Sequence, residues 1–485
     1  MMTRRRTFSV MALLLLAACT PRPSGEEASV PFDLPPIALP AIPDRSVVLT
    51  DFGAVGDGTV LVTEAFSAAI AHLSGLGGGR LVVPAGIWLT GPIVLESRIE
   101  LHLDPEAIVV FSPDPSLYPV IETNFEGLDV RRCQSPLSAL EATDIAITGR
   151  GVFDGSGDAW REVKKRKVSP DQWKTVLQRG GVLSEDGSVW YPDEGYRKAR
   201  LTAGSLNRQD PSLDEQEILT FLRPVMVSLR ACERVLLEGC TFQNSPCWNL
   251  HPLYCRDLTV RDIDVRNPHY STNGDGIDID ACENVRLSGS TFDVGDDAIC
   301  LKSGKDADGR RHARACRNVV ITDCTVYHGH GGFVVGSEMS GGVENILVRR
   351  CRFLGTDVGL RFKSARGRGG EVRSIWCDHI YMKDIVSEAV LFNLYYAGVA
   401  ATERSDDGEA LLQPVDETTP RMADVHFSDI VCSGAGQAVF INGLPELPLN
   451  GLTFRDCRFT ARQGVTVRYS EPVLFENVSV NGESL

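Results

Sequence analysis

Asn273 to Ser303 reads NGDGIDIDACENVRLSGSTFDVGDDAICLKS. Apolar and polar residues alternate within it, a turn of Gly, Asp or Asn intervenes, and a second short alternating run follows. Alternation at period two marks a strand, and the turn residues punctuate it. The phrase recurs as CERVLLEGCTF from Cys232, CRDLTVRDIDV from Cys255, CENVRLSGSTF from Cys282, CRNVVITDCTV from Cys316, VENILVRRCRF from Val343 and LNGLTFRDCRF from Leu449. With Val235, Leu258, Val285, Val319 and Ile346 taken as equivalent, the steps are roughly 20 to 35 residues, the range of a stacking solenoid. No single repeat can bury its own apolar face; a stack buries a continuous core.

A β-sandwich or propeller also has many short strands, but a propeller repeat carries four strands in roughly 40–50 residues, and these repeats are shorter. The expected fold is all-β, a parallel β-helix. Leu49 to Leu73 reads as a strand, a Gly/Asp turn and an amphipathic helix with Ala65, Phe66, Ala69, Ile70 and Leu73 on one face. A helix there caps the open end of the solenoid. Gly75 to Gly79 lacks the lysine of a phosphate loop and reads as a turn.

Solenoids grow without a second core, so 485 residues need not mean several domains. A net charge of -15 argues against nucleic acid as a partner, because phosphate contacts need a basic surface. Arg4 to Arg6 precede a short apolar run from Phe8 to Leu16, a signal-peptide layout too short to span a bilayer. Leu16-Ala17-Ala18-Cys19 resembles a bacterial lipoprotein processing site, which implies cleavage before Cys19 and acylation of its thiol; the alternative is an ordinary secretory signal with a chance cysteine. No aspartate follows Cys19, so the resemblance favours the outer membrane, facing the periplasm or the cell surface. The chain thus divides into a signal peptide, 1–18, a Pro-rich tether, 19–45, and a β-helix domain, 46–485, whose repeat is lost in an insertion at 155–225. That insertion holds Trp160, Trp173, Trp190, Tyr191, Tyr196 and the basic run Lys164 to Lys167. Insertions in solenoids form loops on one face, often the binding face. Gly398 to Arg421 is acidic, lacks the pattern and reads as a second loop.

With Cys19 set aside, thirteen cysteines remain, an odd number. Cys232, Cys255, Cys282 and Cys316 open successive repeats, and Cys240, Cys324, Cys351 and Cys457 precede the last apolar residue of theirs. Such columns favour thiols packed as small hydrophobes, although coil spacing also permits some disulfides. No CxxC pair appears, which argues against zinc.

GDGID from Gly274, VGDDA from Val294, GHGG from Gly329 and RFK from Arg361, in this order and spacing, resemble glycoside hydrolase family 28, the polygalacturonase-like pectin hydrolases. The resemblance runs roughly from Val48 to the C-terminus. It implies a right-handed parallel β-helix and hydrolysis of α-linked galacturonic acid with inversion, without metal or other cofactor. An inverting hydrolase needs one protonated carboxyl for the leaving oxygen and one ionised carboxylate for water, about 6.5–9.5 Å apart. By resemblance Asp296 is the general acid, kept protonated by its acidic neighbours, and Asp275 with Asp297 hold and deprotonate the water. Asp296 and Asp297 are adjacent, so in an ideal strand they face opposite ways, and a bend or bulge at Gly295 is needed. The other reading of the pair is a turn or a calcium site. Where the family often has Thr, this chain has Gly274.

His330 lies about one coil beyond Asp297 and is expected at the acid or at a sugar hydroxyl; His328 is the competing match. Arg361 and Lys363 share a face and suit a uronate carboxylate, with Lys302 as a third cation. Two coils on, they are expected roughly 10 Å along the axis from Asp297. His251, in NSPCWNLHPL, is expected at a flanking subsite, and Tyr395 and Tyr396 are candidates for stacking on a sugar. Asp278 and Asp280 read as outward-facing strand residues. The insertion suggests a cleft closed at one end, favouring release from chain ends of a pectic polysaccharide or oligogalacturonide. Alternatives are a rhamnogalacturonan or other uronate hydrolase, a calcium-dependent pectate lyase, and a carbohydrate-binding β-helix without catalysis.

Overall fold

Five residues taken as equivalent from spacing alone are equivalent in space. In the computed structural model, which describes residues 30–203, 212–396, 398 and 411–485, Val235 pairs in parallel register with Leu258, Leu258 with Val285, Val285 with Val319, and Val319 with Ile346. The column continues through Ile375, Val425 and Leu452. These strands form a 13-stranded sheet on one wall of a right-handed parallel β-helix, and a second, 22-stranded sheet carries the other walls.

The residue before each column member explains the shared turn. Arg234, Asp257, Asn284, Asn318 and Asn345 have φ of 55°, 55°, 59°, 57° and 57°. Left-handed backbone is costly for most side chains and tolerated by Asn and Asp. Their amides also bond along the axis: Asn345 Nδ2 donates to Asn318, Asn318 to Asn284, and Asn284 to the Asp257 carboxylate, each at 3.1 Å. Inside the coils Phe362 stacks on Phe392 at 4.4 Å and Phe427 on Phe454 at 4.5 Å between ring centroids.

The helix Thr63–Gly75 closes the N-terminal end, burying Ala65, Phe66, Ala69, Ile70 and Leu73, the face its periodicity predicts. Thirteen cysteines are free and buried, with no disulfide among the described residues. Several of their thiols cap carbonyls of the previous coil: Cys255 Sγ lies 3.1 Å from Leu229 O and Cys282 Sγ 3.3 Å from Pro252 O.

The second half of the expected tether, residues 30–45, is docked rather than free; Cys19 lies outside the described residues. Phe32 packs on Trp376 at 5.9 Å, and the Ala41 N–H donates to Asp144 at 3.0 Å. Six inter-strand steps separate those two anchors, about 29 Å at 4.8 Å each. Nine residues of polyproline geometry span about 28 Å. Pro35, Pro36 and Pro40 stiffen the segment in extended form, so little entropy opposes its docking.

Between the strands Val152–Asp154 and Val227–Arg230 the chain leaves the coil. It forms the helices Pro170–Gln178 and Glu194–Ala203 and a small antiparallel sheet. Trp160, Tyr191 and Tyr196 are buried in one apolar cluster and Trp173 and Trp190 in another. The insertion's aromatics are therefore packing residues, in part of a core shared with Tyr118, Phe125 and Trp248, and are not laid out as a sugar-binding face. The antiparallel hairpin Val120–Phe125 and Leu128–Cys133 was not evident from the repeat. Most of Gly398 to Arg421 lies outside the described residues, and the strand Arg421–Ser428 resumes the stack.

Candidate active site

Strand alternation does not oppose Asp296 to Asp297, because only Asp297 belongs to the strand. The strand is Asp297–Lys302, and Asp296 occupies the bend before it, its Oδ1 accepting the Asp297 N–H at 3.1 Å. Two glycines allow this packing. A Cβ on Gly295 would lie 2.5 Å from Pro268 O, and one on Gly274 1.8 Å from Ser271 Oγ. The second contact accounts for glycine where the family often has threonine.

Asp275 stands one coil earlier in line with Asp297, two residues before Ile277 as Asp297 is before Ile299, and its carbonyl accepts the Asn249 N–H at 3.0 Å. One carboxylate oxygen from each of Asp275, Asp296 and Asp297 lies within 4.8 Å of the others. That is closer than the 6.5–9.5 Å expected of an inverting pair. A water bonded at about 2.8 Å to two such oxygens fits between them. Oxygens this close are also the donor set of a hard cation, but side chains already supply positive charge here.

Arg361 Nη1 lies 3.1 Å from Asp297 Oδ1 and Lys363 Nζ 2.7 Å from Oδ2. The expected 10 Å separation along the axis is thus closed: two long side chains lean back across the coils to meet a buried carboxylate. Tyr396 lies beside the basic pair, 4.7 Å from Lys363 Nζ and 5.8 Å from the Arg361 guanidinium, whereas Tyr395 packs on the core. His330 Nδ1 is 3.0 Å from Asp296 Oδ1, and its Nε2 is 3.8 Å from Asp357. His328 instead pairs with Asp293 at 2.8 Å and is well exposed.

A match to the model of glycosyl hydrolases family 28 spans residues 215–467. The chain belongs to that family. It is also similar to the crystal structure of a hyperthermoactive exopolygalacturonase from Thermotoga maritima, with a TM-score of 0.76, 33% identity and coverage of 93% of this chain and 94% of that one. A protein of Vitis vinifera named "Probable polygalacturonase" is 28% identical over 84% of this chain and 73% of its own length. The exo-poly-alpha-D-galacturonosidase of Dickeya chrysanthemi is 27% identical over 74% of this chain, which spans 58% of that protein. The protein is therefore a glycosidase.

In this family 28 hydrolase the surroundings of the three aspartates shift their proton affinities in different directions. Burial raises Asp296, but the hydrogen bond and charge of His330, with Lys363 and Lys167, outweigh it and hold the carboxyl well below the ordinary range. His330 is raised in turn, first by the hydrogen bond to Asp296. Asp297, despite burial, is lowered by Lys363 and Arg361. Asp275 is pushed well up by burial and then by Asp278, Asp296 and Asp297. Burial and its acidic neighbours thus favour a proton on Asp275, while His330, 3.0 Å away, favours the ionised form of Asp296.

Two expected substrate ligands are also elsewhere. Lys302 is 3% exposed and bonded to Glu338 at 2.9 Å, over the Trp248 ring. His251 is 1% exposed, 3.2 Å from Asp280 and edge-on to Trp248. Asp278 and Asp280 point out from the coil as expected but are fully buried. The segment carrying Trp248 covers this column, which a single strand's alternation cannot reveal. Lys167 and Asp357 had no assigned role. Lys167 ends a short turn of the insertion, its carbonyl 3.1 Å from His269 Nε2, and its charge acts on Asp296 and Asp357. The basic run Lys164 to Lys167 was its only signal in the sequence.

Proposed function

We propose that the protein is an inverting exo-acting polygalacturonase that removes α-linked galacturonic acid from the ends of pectic chains. The observation that carries this reading is the pair of cations, Arg361 and Lys363, fixed on Asp297 within the three-carboxylate cluster. Asp297 and Asp275 hold and deprotonate the water, Asp296 protonates the leaving oxygen, and His330 governs that proton. A bound uronate draws on the charge of Arg361, Lys363 and Lys167, the last two of which, after His330, keep Asp296 ionised. It also excludes water. Both effects raise the proton affinity of Asp296, and its neutralisation relieves Asp275, so the proton of the cluster passes from base to acid as substrate arrives.

End cleavage is supported by the insertion, whose Lys167 acts on Asp296 and so brings a wall to the cleavage point. It is supported further by the likeness to the Thermotoga exopolygalacturonase. Incubation with a defined oligogalacturonide tests it: small product must accumulate from the first minutes while the parent shortens stepwise, whereas an early spread of mid-sized fragments would overturn end cleavage. Activity that depends on calcium, with unsaturated products, would replace hydrolysis by a lyase. Export and lipid attachment at Cys19 are part of the same proposal; palmitate incorporation lost in Cys19→Ala is the expected result.

A further inference from the structure

The wall that carries Arg361 and Lys363 continues for three more coils. The strand Leu360–Lys363 pairs in parallel with Glu388–Asn393, that strand with Val431–Asn442, and that one with Arg458–Arg468. Their register lines up Lys363, Asn393, Asn442 and Arg468 in one row and Arg361, Leu391, Phe440 and Thr466 in another. Between the rows stand Phe362, Phe392 and Ile441, all buried in the core, so by alternation both rows face outward. Phe440 and Asn442 are half-buried and Arg468 is exposed. Asn393 Oδ1 accepts the Tyr395 N–H at 2.9 Å, which leaves its amide nitrogen as a donor. Neighbouring arginines are ion-paired, Arg366 with Glu446 and Arg455 with Glu476, each at 2.7 Å, but among the described residues no carboxylate pairs with Arg468. The only acidic residue on the three added strands, Glu388, lies at their opposite edge and accepts the Ser387 hydroxyl at 2.6 Å.

We propose that these two rows are a track for the part of a galacturonan chain that stays on the enzyme side of the cut, with Arg468 as the cation for a distant carboxylate. The inference rests on the substrate and the end cleavage proposed above. The insertion leaves the stack before the cluster, between Val152–Asp154 and Val227–Arg230, so the remainder of a chain cut at its end runs over the later coils. A coil step is about 4.8 Å, and an α-linked galacturonate ring advances its chain by about as much, so rings and coils stay in phase. Arg468, three steps past Lys363 or roughly 14 Å, therefore meets the third ring beyond the one held by Lys363. Phe440 offers an apolar face to a sugar ring, Asn393 and Asn442 offer amides to its hydroxyls, and the Arg468 guanidinium matches a carboxylate. The track is thus continuous with the basic pair in both position and charge.

The test is kcat/KM on oligogalacturonides from the disaccharide to the heptasaccharide for wild type, Arg468→Ala, Arg468→Lys, Arg468→Glu and Phe440→Ala. Wild type should gain with length up to about the pentasaccharide, which supplies the released ring, the ring at Lys363 and three more. An exposed ion pair is worth about two- to fivefold, so Arg468→Ala should lose that factor on the longer substrates and nothing on the disaccharide. Arg468→Lys should keep most of the gain, Arg468→Glu should lose more than alanine, and added salt should shrink the wild-type gain. Phe440→Ala should flatten the series one ring earlier; if it fails to fold, the exposed Arg468 decides alone. A length series in Arg468→Ala that runs parallel to wild type, whether unchanged or lowered equally at every length, overturns the track. Failure of wild type to hydrolyse any of these substrates would instead sink the substrate reading on which the track rests.

Discussion

Asp296 and His330 form an ion pair whose two members titrate on opposite sides of neutrality, so its effect on stability has a definite pH window. His330 is raised, and its contribution is fully present below the unfolded value near 6.5 and lost as pH rises through the folded one. Asp296 is lowered, and its contribution is present above about 3.9 and lost as pH falls toward its folded value. Thermal unfolding of wild type and His330→Gln should therefore differ most near pH 5 and converge above neutrality; a constant gap would contradict the pair. Asp296→Asn should fold normally and lose at least several hundredfold in kcat, because it removes both the acid and the partner that orients His330. At this scale the sequence was a good guide to which residues meet and a poor one to their charge. Four motifs spaced by coils brought Asp275, Asp296, Asp297, His330, Arg361 and Lys363 together. The shift of Asp275 depends on burial and on carboxyls crowding it from the same and the next coil, and the reach of Lys167 on an insertion outside the repeat, neither of which a spacing rule reports.

A single coil shows why the repeat was so legible. Each one carries an apolar column inside, an αL residue at the same corner and, in several, a thiol that caps a carbonyl of the coil before. These are chemical demands on residue type, so they leave a mark in the sequence every time the coil comes round. The asparagine ladder allows a direct measurement. Asn318→Ala gives up two amide bonds and places a Cβ-bearing residue of the wrong kind at φ 57°. A loss of about 1–3 kcal/mol is expected in urea unfolding, with Asn318→Gly losing less because its backbone needs no compensation. Equal losses would mean the corner is not strained.

The whole molecule is a stack closed at one end by the helix Thr63–Gly75 and splinted along its 13-stranded wall by the segment from Phe32 to Ala41. The cleft belongs to the other sheet, so shortening the chain to remove residues 30–42 should lower the melting temperature by a few degrees and leave kcat unchanged. A fall in kcat would mean the splint reaches the active site after all. The thiol columns have a use beyond packing. Burial pushes Cys457 up to about 11 and Cys240 and Cys432 to about 12. A thiolate hardly exists in any of them while the stack is shut, so alkylation or oxidation must wait for a coil to open. With cysteines from Cys133 to Cys457, the protein carries its own set of clocks, and the order in which they react with a thiol reagent records the order in which the coils come apart.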